Sequence, residues 1–190
     1  MLLNIVTISQ YVAFLVRPES FTDKELYQVA NEVALYQSPA SGEGQIDLEQ
    51  LPNNYLAYPR LGIRAPISWD IPEALAVERL AEGLVHIEKT SKPSIGGEIL
   101  ITGHSSYYWW REGNYKNIFA NLLKAEKGDK IIIHRDKIYI YSVVGKYQVN
   151  GNETLTLEST GEEVLNLMTC VPLGTDLRRL IVEAKLVFTD

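Results

Sequence analysis

A mainly β fold, an eight-stranded barrel with two short helices and an N-terminal helical appendage, is what this sequence predicts. Three observations lead there. From about residue 46 onward, short runs of β-type residues are separated by Pro and Gly, which punctuate strands and mark turns. Eight such runs are present and only two stretches have helical spacing. Eight short strands with two small helices suggest a closed or nearly closed barrel.

The bulk composition bounds the rest. A chain of 190 residues suffices for one domain with a full core plus a short appendage. The hydrophobic fraction of 46% and charged fraction of 22% argue against disorder and against a multi-span membrane protein. Net charge is -6 with Lys and Arg scattered along the chain, so no nucleic-acid partner is expected.

In chain order, residues 1–20 open with an apolar segment that carries no charge until Arg17. It is shorter than the roughly 20 apolar residues of a spanning helix. It reads as the outer part of a membrane anchor whose beginning lies outside this chain, with an interfacial helix or a helix packed on the domain as the alternatives. No basic region precedes it, so charge rules support neither a standard signal peptide nor an orientation. Residues 21–45 form the second unit. TDKELYQVANEVALY, from Thr22 to Tyr36, has a capping residue, early acids, and Leu26, Val29, Val33 and Tyr36 at helical spacing. The Ser-, Pro- and Gly-rich stretch from Ser38 to Gly44 then breaks the helix and serves as a linker.

Residues 46–190 make up the third unit. Its predicted strands are Tyr55 to Ile63, Arg64 to Trp69, Gly83 to Ile87, Glu98 to Thr102, Lys130 to His134, Lys137 to Val149, Val164 to Cys170 and Arg178 to Phe188. Lys137 to Val149 alternates with apolar residues on both sides, as in a strand covered on both faces. The predicted helices are Pro72 to Leu80, with Pro at a tolerated first-turn position, and about Tyr115 to Lys124.

Within this unit a few residues can carry chemistry. Cys170 is the only cysteine, so no intramolecular disulfide can form, and a small buried hydrophobe is the plain reading of such a thiol. Its context differs from that reading. It ends an apolar strand and is followed by Val171-Pro172-Leu173-Gly174-Thr175, which cannot continue a ladder. Nine positions on, Arg179 opens the next apolar run, and an antiparallel return would bring it back beside the thiol. Arg178 competes for that place, and strand alternation must decide between the two.

Among the three histidines, His86 lies inside an apolar run and reads as a structural residue, while His134 ends a strand before Arg135-Asp136 and reads as solvated. His104 is delivered to a strand end by Glu98 to Gly103, with Gly103 expected to permit an unusual backbone turn. On its own a structural role for His104 remains the simpler reading. A thiolate nucleophile needs a proton partner that tunes it and fixed donors for the charged intermediate, and Cys, His and Arg supply all three. One Cys and three scattered His show no metal-ligand spacing, so no metal site is expected.

These residues, in this order, resemble the sortases, bacterial cysteine transpeptidases that join surface proteins to the cell wall or to each other. Ile101-Thr102-Gly103-His104-Ser105 is similar to the family's histidine box, and Leu167-Met168-Thr169-Cys170 with Arg179-Leu180-Ile181-Val182 is similar to its cysteine and arginine boxes. Weaker echoes at Tyr58 to Ile67, Gly83 to His86 and Gly128 to Ile131 extend the likeness over about residues 50 to 188. The resemblance implies an eight-stranded barrel. It implies Cys170 as nucleophile, His104 as acid/base and Arg179 as oxyanion stabiliser, with Ser105, Thr169 and Pro172 contacting substrate. The implied substrate is a C-terminal sorting-signal peptide, LPxTG-like. The implied acceptor is an amine of peptidoglycan or of a pilin Lys, and the implied place is the extracytoplasmic face of the cell membrane, with the N-terminal segment as anchor. A thiol hydrolase that cuts without transfer, or an inert binding module on the same barrel, are the alternatives.

No cofactor is implied, and Glu153, Glu158, Glu162 and Glu163 read as solvated loop acids rather than a calcium site. The polar stretch from Asn150 to Glu163 is expected to wall the peptide groove, and the aromatic stretch after His104 to pack on the neighbouring helix. Two departures stand out. Asn166 occupies a position where the family usually has Thr, and Glu88-Lys89 interrupts a Pro-Gly often found after the His86 region. No Asp-Pro-aromatic lid of the kind carried by pilin-polymerising members precedes the barrel, which favours an anchoring role or an unclassified branch.

Overall fold

The computed structural model describes residues 50–106, 112–153 and 161–189. The expectations for the apolar segment 1–20, the amphipathic helix and linker of 21–45, the aromatic stretch 107–111, Glu158 and half of the expected groove wall, residues 154–160, lie outside these residues.

Eight strands form a closed barrel: β1 (Tyr55–Tyr58), β2 (Ile63–Ile71), β3 (Leu84–Ile87), β4 (Gly97–Thr102), β5 (Lys130–Arg135), β6 (Lys137–Asn150), β7 (Glu163–Val171) and β8 (Arg178–Thr189). Their order around the barrel is β1-β2-β3-β4-β7-β8-β6-β5, with β5 returning to β1. Only β2–β3 and β4–β7 are parallel pairs. The central step for the site is β4–β7–β8, where a parallel and an antiparallel ladder share β7.

Alternation sorts each strand between the interior and the outside. Ile99 and Ile101 of β4, Leu165 and Leu167 of β7, and Leu180, Val182 and Ala184 of β8 fill the interior with Leu56, Tyr58, Tyr139 and Tyr141. A smaller apolar cluster covers the outer side of β1, β5, β6 and β8, where Leu51 packs over Ala57, Ile132, Ile140 and Val187. β6 is therefore covered on both faces from Tyr139 to Val143, as its two-sided apolar pattern predicts, but its second half is largely open.

Two local expectations differ from the structure. The run from Tyr55 to Ile63 is not one strand: a 3-10 turn at Pro59–Leu61 interrupts it. Pro59 has no N–H for the ladder, and Gly62 takes the left-handed φ of 65° that closes the turn. Arg60 from this turn donates to both Asp129 carboxylate oxygens at 2.5 and 2.6 Å, and Tyr58 also donates to Asp129, which ties the turn to the start of β5.

The first predicted helix is present as α1 (Glu73–Arg79), which packs Ala76 against Val85. The second is not an α-helix. Tyr115 to Lys124 is a chain of turns ending in a 3-10 helix at Leu122–Lys124. Its amides bond three residues back, Ala120 to Asn117 and Lys124 to Asn121, while the Phe119 N–H is drawn away to the His104 carbonyl at 2.9 Å. Phe119 is thereby anchored in the barrel interior.

Candidate active site

The register of three adjacent strands brings the site together. In the β7–β8 ladder Cys170 stands directly opposite Arg179, and Val171 opposite Arg178. In the β4–β7 ladder Thr102 is level with Met168, and the next amide, Gly103 N–H, still donates to the Met168 carbonyl at 3.1 Å. That bond continues the parallel pattern one step past the end of β4, and carrying the register one residue further sets His104 level with Cys170. Imidazole, thiol and guanidinium thus start from one row across strands about 4.8 Å apart.

Parity decides which side of the barrel carries the row. Leu165, Leu167 and Val171 point inward, so Cys170 faces outward with Met168 and Asn166. The same parity separates the two arginines. Leu180 and Val182 are interior, which sends Arg179 to the outer face beside Cys170, and Arg178 is more exposed than Arg179. His104 and Cys170 are half-buried.

Each member of the row is held from behind. Gly103 has no positive φ; the unusual turn expected there is absent. Its glycine is required by packing instead, since a Cβ would lie 2.6 Å from Phe119 and 2.7 Å from Leu84. Thr169, on the inward parity of β7 and 3% exposed, donates its hydroxyl to the Gly103 carbonyl at 2.8 Å. That hydroxyl ties the cysteine strand to the histidine strand one residue before both functional groups. Burial holds the His104 imidazole below its ordinary value of 6.5, so it is neutral at pH 7. The Arg179 guanidinium donates through Nη1 to the Asp176 carbonyl at 2.8 Å.

Of the other residues singled out by sequence, Ser105 is 2% exposed and its Oγ has no hydrogen bond among the described residues. Pro172 is exposed and begins the loop that follows β7. His86 is fully buried, with its Nδ1 accepting from the Asp70 amide at 3.2 Å and its Nε2 donating to the Ser91 carbonyl at 2.8 Å. That pattern fixes one neutral tautomer, and burial lowers its pKa. His134 is more enclosed than a solvated residue, because its Nδ1 donates to the Leu51 carbonyl at 2.6 Å.

Of the four acids noted in the sequence, the three among the described residues each have a protein partner. Glu153 accepts from Asn150, Glu162 pairs with Lys185 at 2.7 Å, and Glu163 is the first residue of β7 rather than a loop acid, accepting from Tyr141 at 2.6 Å. No group of three or more metal-ligating side chains is found among the described residues.

Several neighbours of the row carry no signal in the sequence. Ser106 Oγ accepts from the Gly174 amide at 2.7 Å, and Gly151 packs against the same loop. Both contacts join segments far apart in the chain, and nothing in local periodicity announces them. Asn166, noted only as a departure, is 2% exposed and donates to the Glu98 carboxylate on β4. The amide side chain therefore cross-links the two strands one turn of the pleat below Met168.

Fold and row together define a class: closed β-barrels that carry a strand-end cysteine between a histidine and an arginine on neighbouring strands. The sortase domain family model matches residues 56–187, and the chain belongs to the sortase family. A sortase A from Bacillus anthracis is 30% identical over 73 residues, covering 38% of this chain and 35% of that protein, so the match spans about a third of that relative's length. Sortase C1 from Streptococcus suis has a similar structure, with a TM-score of 0.58 and 21% identity over 90% of this chain and 87% of that one. Sortase A from Listeria monocytogenes gives a TM-score of 0.58 and 20% identity over 72% of this chain and 87% of that one. At these identities the structural likeness is one of fold. No helix among the described residues is long and apolar enough to cross a membrane.

Proposed function

We propose that this chain is a sortase-type transpeptidase that cleaves a C-terminal, LPxTG-like sorting signal and transfers the acyl group to an amine, anchoring surface proteins at the extracytoplasmic face of the cell membrane. The observation that carries this reading is the shared row of His104, Cys170 and Arg179, on a barrel of the matching family.

Cys170 Sγ is the nucleophile. As it attacks the scissile carbonyl, its proton passes to the neutral His104 imidazole and the Sγ–C bond forms. Arg179 hydrogen-bonds the resulting oxyanion. The C–N bond then breaks, and the imidazolium gives its proton to the departing amine, leaving a thioester. An incoming amine, from a peptidoglycan cross-bridge or a pilin Lys, attacks the thioester. His104 takes its proton and returns it to sulfur as the new amide is released. Pro172 borders the row and contacts the peptide; Ser105, 2% exposed, is too buried for the substrate contact expected of it, and Thr169 acts from behind, through the strand-to-strand bond to Gly103.

The test is incubation with a library of sorting peptides, with and without added diglycine, read by mass. A transpeptidase yields a product extended by diglycine. Hydrolysis products alone, unchanged by the added amine, would show a thiol hydrolase instead.

A further inference from the structure

The loop between β7 and β8, residues 172–177, is solvent-exposed and has no ladder of its own, yet it is tied down at three places. On one side, the Gly174 amide donates to Ser106 Oγ at 2.7 Å, two residues beyond His104. On the other side, the Gly151 amide at the end of β6 donates to the Leu177 carbonyl at 2.8 Å. Within the loop, the Thr175 amide and hydroxyl both donate to the Pro172 carbonyl, at 3.0 and 2.9 Å. What the secured loop offers the site is one group: the Asp176 carbonyl, which accepts from Arg179 Nη1 at 2.8 Å.

A guanidinium on a flexible stem loses rotamer entropy when it is fixed, so an arginine that must meet a developing charge gains from being held beforehand. Nη1 donates to the Asp176 carbonyl and, at 3.4 Å, to the Arg178 carbonyl, which leaves Nε and Nη2 to face substrate. Gly151 shows how closely this arrangement is fitted. A Cβ at that position would lie 2.1 Å from the Asp176 oxygen, 3.1 Å from the Leu177 oxygen and 3.1 Å from Arg179 Nη1. Two of those three atoms are backbone, so any side chain at 151 displaces the carbonyl that holds the guanidinium.

We propose that the 172–177 loop is the element that presets Arg179, and that Ser106 and Gly151 are positioning residues acting on the reaction through it. The inference rests on the reading of Arg179 as oxyanion donor given above. It links the histidine strand end to the guanidinium by a path that bypasses Cys170: Ser106 holds Gly174, the loop carries Asp176, and Asp176 holds Arg179.

The experiment is a double-mutant cycle on the full chain, measuring kcat, KM and thermal midpoint for transfer of the selected sorting peptide to diglycine. Ser106→Ala removes one hydrogen bond and should lower kcat about three- to tenfold, with KM and the midpoint nearly unchanged. Ser106→Thr, which keeps the hydroxyl, should restore most of the rate. In an Arg179→Ala background the Ser106→Ala change should cost nothing further, because a residue acting through Arg179 has nothing left to position. Gly151→Ala should lower kcat in the same sense, by an independent route. Additive losses in the double variant, or a Ser106→Ala loss that follows the thermal midpoint, would overturn the proposal. If Arg179→Ala is impaired while Ser106→Ala and Gly151→Ala are not, the loop proposal fails and the site reading stands. If Arg179→Ala itself is fully active, the site reading fails and takes the loop proposal with it.

Discussion

Arg178 and Arg179 carry the same side chain one peptide bond apart, and only strand parity tells them apart. Arg179 is opposite Cys170 on the outer face; Arg178 is opposite the inward-pointing Val171 and open to solvent. Arg179→Ala should therefore reduce turnover by roughly 10²- to 10³-fold, the loss typical of one oxyanion donor. Arg178→Ala should stay within about twofold, the range of an exposed charge. Steady-state kinetics on the two variants checks this, and reversed magnitudes would show that the faces are misassigned. At this scale much was legible in the sequence. A cysteine at a strand end, a short loop and an apolar return already imply that sulfur and guanidinium meet, and alternation needs only the register to choose between the arginines. Ser106 and Gly151 were not legible, because each matters through a contact with a loop more than 20 residues away in the chain.

At the scale of elements, Gly103 shows how a correct emphasis can have the wrong cause. Sequence marks it as a backbone hinge, but its conformation is ordinary and its importance lies in the space taken by Phe119 and Leu84. Phe119 in turn belongs to a stretch whose apolar spacing suggests a helix, and which becomes turns because its amide bonds to the His104 carbonyl. A tertiary hydrogen bond there outweighs local periodicity. Gly103→Ala should cost about 1–3 kcal/mol of stability, as overpacking does in a filled core, measured as a lower urea midpoint with unchanged slope. A neutral result would mean that Phe119 and Leu84 yield freely. The pattern of Lys137 to Val149 implies cover on both faces throughout, and the structure bears this out only from Tyr139 to Val143, since alternation cannot tell where the covering neighbours end; the break of the first run at Pro59 is visible as a Pro followed three residues later by Gly.

The whole molecule is a barrel whose closure brings a parallel and an antiparallel ladder together on β7, and that arrangement sets the row of functional groups. Strand number was legible because each strand is a separate local pattern; strand order was not, because pairing partners leave no mark in alternation. Burial of histidine has a consequence for the molecule as a whole. His86 is fully buried and neutral, and desolvation lowers its pKa below 6.5; His104 is shifted the same way for the same reason. Below about pH 6.5 the unfolded chain takes up protons that the folded chain resists, so it binds more protons and stability falls. Their contribution is complete above that pH and is lost as the pH drops toward the folded-state values. For Asp129, burial alone would raise the carboxyl, but hydrogen bonds from Arg60 and Tyr58 outweigh it and hold it low. Its contribution therefore persists until the pH falls below about 3.9 and is lost further down. Urea midpoints should decline as the pH falls below about 6.5; a flat profile there would contradict the burial account of the two imidazoles.

The proposed reaction passes through a covalent bond between substrate and Cys170. Intact-mass analysis of the full chain, quenched in acid after brief exposure to a sorting peptide, should show an adduct equal to the acyl fragment on the unsubstituted protein. Cys170→Ala should show none. The same adduct on Cys170→Ala, or its absence from the unsubstituted protein while peptide is being cleaved, would contradict the account.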